Sequence, residues 1–418
     1  MSDSTVSTPS PGRAAGMGFI MVTVLIDMIS IGVMVPVLPH IVGLFTGSND
    51  EQTLGFLAVT LAFGVANFFG SPILGALSDR YGRRPVLLMG FAGLAVSFFV
   101  TALASALWML VAVRLFSGAM QANIAIANAY VADISTPEDR AKRFGMLGAM
   151  FGLGFMLGPV IGGVLGDINV RYPFFLAGTL AVLNWFYGFF VLPESLPKER
   201  RRPIERHRLS PWSALKGLAG LKGVGALVWV LGLSSLAQFM LHNSWVLYTK
   251  FKFGWGPGQV GWSLFLVGIV SVLSQGVLLK PLLKRFQPRQ LALVGLVSGG
   301  LAFMGYGLAT EGWVLYVIIC FNLLGGVAQA SMQSIISNAA DAKHQGSTMG
   351  AVSSLNSLMA VLAPVASLEL LRWVSHLPVG SIWIGLPFFV SAALMGVATL
   401  ITLRFFRSHP APAVAPSA

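Results

Sequence analysis

The chain has 418 residues, 55% hydrophobic and only 10% charged, with a mean hydropathy of +0.77; a soluble protein carries roughly a quarter charged residues, so most of this surface faces lipid. The formal net charge of +12 would suit nucleic acid, but the basic residues sit at the ends of apolar stretches, which points to membrane topology and to no nucleic-acid partner. The single cysteine, Cys320, lies in an apolar run and excludes an internal disulfide.

In chain order, residues 1–15 are rich in Ser, Thr and Pro and read as a disordered tail. The apolar stretch that follows is too long for a signal-peptide core and lacks a small-residue cleavage site, so it reads as a first span. Apolar stretches place helices near 17–45, 53–78, 85–105, 107–132, 144–166 and 172–192, then near 224–249, 259–283, 289–309, 312–338, 346–374 and 381–406. Each suits the roughly 20 apolar residues that cross a bilayer. Backbone in hydrocarbon must satisfy its own hydrogen bonds, and no ten-residue alternating strands of a membrane barrel appear. The expected class is an all-α membrane protein with twelve transmembrane helices. A basic linker over 193–222 divides it into six-helix bundles at 16–192 and 223–407, with a loose tail at 408–418.

Twenty-two Lys and Arg fall in loops on one side of these spans and four, Arg171, Lys250, Lys252 and Arg372, on the other. The positive-inside rule then puts both termini in the cytoplasm, which an even number of spans requires. The halves also resemble each other. Leu77 to Arg84 between the second and third spans answers Leu282 to Arg289 between the eighth and ninth. Gln121 and Asp133 answer Gln329 and Asp341 at the same separation, and Pro159 answers Pro364. Two such halves with a site between them at mid-depth is an alternating-access design.

The sharpest motif runs from Gly75 through Asp79, Arg80, Gly82, Arg83 and Arg84 to Pro85. Positive-inside charge explains the arginines. It does not explain an acid among them, two glycines and a proline opening the next helix. Such an acid can cap a helix from the other half and latch one state. Asp133 closes the fourth span on the same side, as a gating acid or as a solvated helix end. Gly145, Gly154, Gly158, Pro159, Gly162 and Gly163 in the fifth span allow close packing and bending. Gly152-Leu153-Gly154 is no nucleotide loop, because no strand precedes it.

The Gly75–Pro85 stretch resembles the signature loop of the major facilitator superfamily, and the fifth-span pattern resembles that of its proton-driven antiporters. The match is closer still to the tetracycline exporters of Gram-negative bacteria. It is carried by Asp27 with Pro36-Val37-Leu38-Pro39, by Ser105 to Leu110, Arg114 and Ser117-Gly118, by Pro173-Phe174-Phe175, by Trp245-Val246-Leu247, by Phe253-Gly254-Trp255 and by Glu311-Gly312-Trp313. The resemblance implies the major facilitator fold and a multi-pass carrier of the bacterial inner membrane. Such a carrier expels a drug in exchange for protons, uses no cofactor and works as a monomer. Two departures stand out: the positions aligned with further acids of those exporters hold Ser97 and Gly299. With less negative charge for a cationic metal–tetracycline complex, a neutral, lipophilic or weakly basic cargo fits as well or better.

An ionisable group within a span is costly and marks function. Asp27 is the expected coupling carboxylate, with Arg114 of the fourth span as the cation that tunes it; a structural salt bridge is the competing reading. Polar and aromatic side chains within spans are the candidates for the substrate cavity: Asn67, Gln121, Asn123, Gln238, Asn243, Trp245, Tyr248, Asn322, Gln329, Gln333 and Asn356. Direction is not legible from spans, so uptake symport of a sugar, organic acid or other metabolite stays open as the alternative. The six histidines lack metal-ligand spacing, and no P-loop or nucleophile motif occurs, so neither a metal site nor an enzyme is expected.

Overall fold

The computed structural model describes residues 11–136, 139–201, 203, 225–326, 331–332, 335 and 345–408. The first half holds α1 (Pro11–Met34), α2 (Leu38–Gly43), α3 (Asn49–Tyr81), α4 (Arg83–Leu103), α5 (Leu107–Met120), α6 (Asn123–Ile134), α7 (Arg140–Ile168) and α8 (Tyr172–Val191). The second holds α9 (Gly225–Phe253), α10 (Pro257–Val272), α11 (Leu279–Arg285), α12 (Pro288–Leu308), α13 (Gly312–Phe321), α14 (Gln345–Val374) and α15 (Leu386–Ser408). Eleven stretches are long and apolar enough to cross a membrane, and Gly312–Leu324 is a shorter apolar helix. Together they make the twelve spans of an all-α membrane protein. Twelve crossings return the chain to its starting side, called here the terminal end, opposite the far end. α1 begins at Pro11, inside the segment read as a tail.

Several spans read as single helices are interrupted. Pro36 and Pro39 remove two amide donors, and α1 gives way to α2 across Val35–Val37. The fourth span breaks between α5 and α6 with no proline present. Its freed carbonyls find a donor on α3: the Asn67 amide donates to Gln121 O at 2.5 Å and to Gly118 O at 3.4 Å. The second half repeats the device. A 3-10 turn at Asn322–Leu324 follows α13, and Ser274 Oγ, in the π-helical turn Leu273–Leu278, donates to Leu323 O at 2.6 Å. In each half, a polar side chain of the second span splints the fourth.

Small residues set the closest packing. A Cβ on Gly162 would lie 2.0 Å from Val33 O, and one on Gly158 would lie 2.7 Å from Gly32 Cα, so α7 and α1 touch backbone to backbone. Gly163 faces the other half, where a Cβ would lie 2.6 Å from Pro257 O of α10. Gly145 and Gly75 face open space. The halves meet where α7 packs on α10 and α3 on α14. One apolar core runs from the far end of the first half through the second, including Val37, Ile41, Phe56, Leu231 and Val260. A separate core around Ile20, Leu87, Ile126 and Tyr130 serves the terminal end of the first half alone.

Candidate functional site

Between the halves lies a cavity of about 300 Å³. Met34, Thr60, Phe63, Arg114 and Phe155 line it from the first half, and Gln238, His242, Asn243, Trp245 and Tyr306 from the second. It shares Thr60, Phe63 and Asn243 with a cleft of about 410 Å³ along the α3–α14 seam. It shares Gln238 and His242 with a void of about 300 Å³ inside the second half. The three form one tract, apolar in its walls and polar at a few points, as small-molecule sites are.

Five of the expected cavity residues line this tract: Asn67, Gln238, Asn243, Trp245 and Asn356. Four do not. Asn123 is buried against Asp27. Gln121 caps α5 at the helix break and takes the Asn67 bond on its carbonyl. Tyr248 is fully buried in an aromatic cluster with Phe388 and donates its hydroxyl to Tyr306 O. Asn322 faces a separate groove with Val294, Leu301 and Phe321, which are exposed on the outer face of the bundle. Gln329 and Gln333 lie outside the described residues. Polarity within a span marks a helix contact as readily as a cavity contact, which is why the sequence could not sort them. His242, not among the candidates, is exposed in the tract and bonds through Nδ1 to Gln238 O at 2.7 Å. Its spacing of four from Gln238 and three from Trp245 puts the three on one face of α9, a signal that was available.

Asp27 and Arg114 are both inside the protein, 4% and 8% exposed. The expected contact between them does not occur. The Asp27 carboxylate accepts from Asn123 Nδ2 at 3.3 and 3.4 Å, and Gly90 of α4 leaves the space the Asn123 amide needs. Arg114 Nη1 meets Met34 Sδ at 3.3 Å, and its guanidinium lies 4.4 Å from the Phe63 ring centre. Arg114 Nε has no hydrogen-bond partner. The guanidinium faces the cavity while the carboxylate, not among the lining residues, sits within the first half.

At the terminal end, Arg83 gathers the acids. It pairs with Asp79 at 2.5 Å and Asp133 at 3.0 Å, and donates to Ser78 Oγ at 2.7 Å. Asp79 therefore pairs within its own loop, and no ion pair joins it to the second half among the described residues. The helix that is capped is α4, and the cap is Glu194, unremarked in the sequence: Oε1 accepts from Arg83 N at 2.8 Å and Oε2 from Arg84 N at 3.3 Å. Gly82 turns this corner at φ +109°, and a Cβ there would fall 2.3 Å from Glu194 Oε2. Arg80 lies over the Tyr81 ring, and Arg84 donates to Phe189 O.

At the far end polar contacts cross between halves. Arg372 pairs with Asp50 at 2.9 Å, Asn49 Nδ2 donates to Ser375 O at 3.2 Å and Lys250 Nζ to Gln52 Oε1 at 2.5 Å. Gly258 N, near the start of α10, donates to Asp167 Oδ1 at 2.9 Å.

Residues 20–364 match the family model of the Major Facilitator Superfamily. The chain is 35% identical to the class C tetracycline resistance protein of Escherichia coli, over 89% of this chain and 92% of that one. It is 31% identical to the class D tetracycline resistance protein of Salmonella ordonez, over 94% and 98%. Its fold is similar to that of a bacterial homolog of the human lysosomal transporter Spinster, solved in an inward-facing, unoccupied conformation. That similarity has a TM-score of 0.75 and 14% identity, and covers 97% of this chain and all of that one. A two-bundle membrane fold with its cavity between the halves and relatives of this closeness place the chain without ambiguity: it belongs to the Major Facilitator Superfamily.

Proposed function

We propose that this chain exports a small amphiphilic, drug-like compound by alternating access, in exchange for protons, across a bacterial inner membrane. The observation that carries the reading is the cavity between the halves, with polar contacts joining the two halves at the far end. Two bundles meeting at a mid-depth site are built to rock about it. With the basic side as cytoplasm, the terminal end faces inward and the far end outward. The site therefore belongs to the inward state here. Relatives named for tetracycline resistance support export over metabolite uptake. As in such carriers, the chain works without a cofactor and as a monomer.

The roles follow from position. Asp27 is the coupling carboxylate, held by Asn123 while its charge is isolated from lipid. Arg114 lies between that carboxylate's bundle and the cargo, so it reports cargo occupancy to the proton site electrostatically. Asp79, Arg83 and Asp133 are the parts of an inner gate, stored within the first half in this state and free to re-pair when the terminal end closes. The Gly154–Gly163 face of α7 is the rail on which α1 and α10 ride.

Drug-stimulated proton release from inside-out vesicles, run across compound classes, tests the reading. At least one amphiphile should collapse an imposed proton gradient only when the carrier is present. If no compound in a broad panel does so while labelled metabolites accumulate in right-side-out cells, the direction is uptake and the proposal fails.

A further inference from the structure

We infer that the exported compound carries an anionic group, a carboxylate or its like, which docks against the Arg114 guanidinium. This rests on the export reading and names the cargo class of the same cavity.

One buried cation has no ionic partner among the described residues. Arg114 is 8% exposed, its Nε has no partner, and among the described residues its one donor contact is to the sulfur of Met34. A guanidinium is always charged, and its forked donors fit a carboxylate in two parallel bonds. Leaving such a group unmatched in a low-dielectric interior is costly. The ring of Phe63 offsets part of that cost from one face and leaves the donor edge unsatisfied.

Among the described residues, no acid answers it. Of the fifteen Asp and Glu in the chain, only Asp27 lies deep within a span, and its oxygens meet Asn123. The described residues lining the cavity include no carboxylate. The opposite wall offers His242, Gln238 and Asn243, which supply hydrogen bonds and no negative charge. Phe63, Trp245 and Tyr306 supply surface for an apolar or aromatic body. A ligand that is flat and greasy with one negative end satisfies every feature of this site. A cation would meet a like charge with nothing to neutralise it, so the expectation of a neutral or weakly basic cargo gives way to an acidic one.

The test is a binding series on the purified full-length protein in lipid nanodiscs. Three aromatic bodies (naphthalene, anthracene and biphenyl) are each carried as the carboxylate, the carboxamide and the aminomethyl cation, and binding is read by fluorescence. The carboxylate should bind about tenfold tighter than its carboxamide on at least one body, and the cation weakest. In Arg114→Gln the carboxylate-to-carboxamide ratio should fall to about twofold or less, and Arg114→Lys should recover part of it, with thermal melts checking that each variant is folded. The inference is overturned if the cation or the carboxamide binds as well as the carboxylate on every body, if no carboxylate binds, or if the preference survives in Arg114→Gln. The wild-type series decides even if the variants do not fold. The export reading fails separately, when a preferred carboxylate binds yet no compound in the panel stimulates proton release.

Discussion

At the scale of single residues, the proposed coupling rests on a carboxylate kept away from both lipid and cation. Among the described residues the Asp27 side chain takes its hydrogen bonds from Asn123, which satisfies it without neutralising it. Asp27→Asn keeps the shape and removes the titratable proton, so compound-stimulated proton release should disappear while compound binding to purified protein persists. Full proton-driven export by that variant would remove Asp27 from the mechanism. Gly82 permits a second test. Its backbone, at φ +109° and ψ 158°, lies in a region that only glycine occupies at low cost, and its missing side chain leaves room for the Glu194 cap. Gly82→Ala should cost about 1–3 kcal/mol and lower the thermal midpoint of the purified carrier. An unchanged midpoint would mean that the corner re-forms without the cap. Neither partner was legible in the sequence. Asn123 and Glu194 are 96 and 111 residues from the groups they serve, and no local pattern encodes a contact over that distance.

At the scale of elements, legibility depended on which force shapes the element. The spans were plain because hydrocarbon demands an unbroken apolar run with internal hydrogen bonds. The break at Pro36 followed from missing donors. The break between α5 and α6 has no proline or other local mark; it exists because Asn67 of α3 accepts the task of bonding the carbonyls it frees. Asn67→Leu should leave the Gln121 carbonyl without its donor, while the Gly118 carbonyl keeps only its bond from Gln121 N, at a cost of about 1–3 kcal/mol, seen as a lower melting temperature even with saturating cargo. If stability is unchanged, water or a neighbouring side chain has taken over the splint. The glycines of the fifth span divide by contact. Gly162→Val would drive a side chain into the α1 backbone and should abolish drug resistance in cells that still make the protein. Gly145→Val, which meets open space, should leave resistance within about twofold of the parent. Equal effects at the two positions would show that α7 does not ride on α1.

At the scale of the whole molecule, the all-α membrane class and its spans were written in composition, whereas the cavity was not. Which polar side chains look inward is a property of the assembled bundle, so polarity alone assigns Tyr248 to a cavity it does not line, while His242 is marked only by its shared α9 face with Gln238 and Trp245. The far end holds the halves together in this state, and that can be captured. With Cys320, the single cysteine, replaced by Ser, the pair Asn49→Cys and Ser375→Cys sits where an amide already reaches a carbonyl across the halves at 3.2 Å. Oxidation should join α3 to the end of α14 and stop transport, and reduction should restore it. Transport that continues in fully cross-linked protein would show that the far end need not open.

The clasp at that end is also wet. Arg372 and Asp50 remain 37% and 52% exposed, and their attraction decays over a Debye length that shrinks from about 8 Å at physiological ionic strength to about 3 Å in molar brine. The greasy seams beneath feel no such screening. On the proposed orientation, salinity outside the cell becomes a second dial on the carrier, one that shifts its resting posture toward the outside before any cargo or proton arrives.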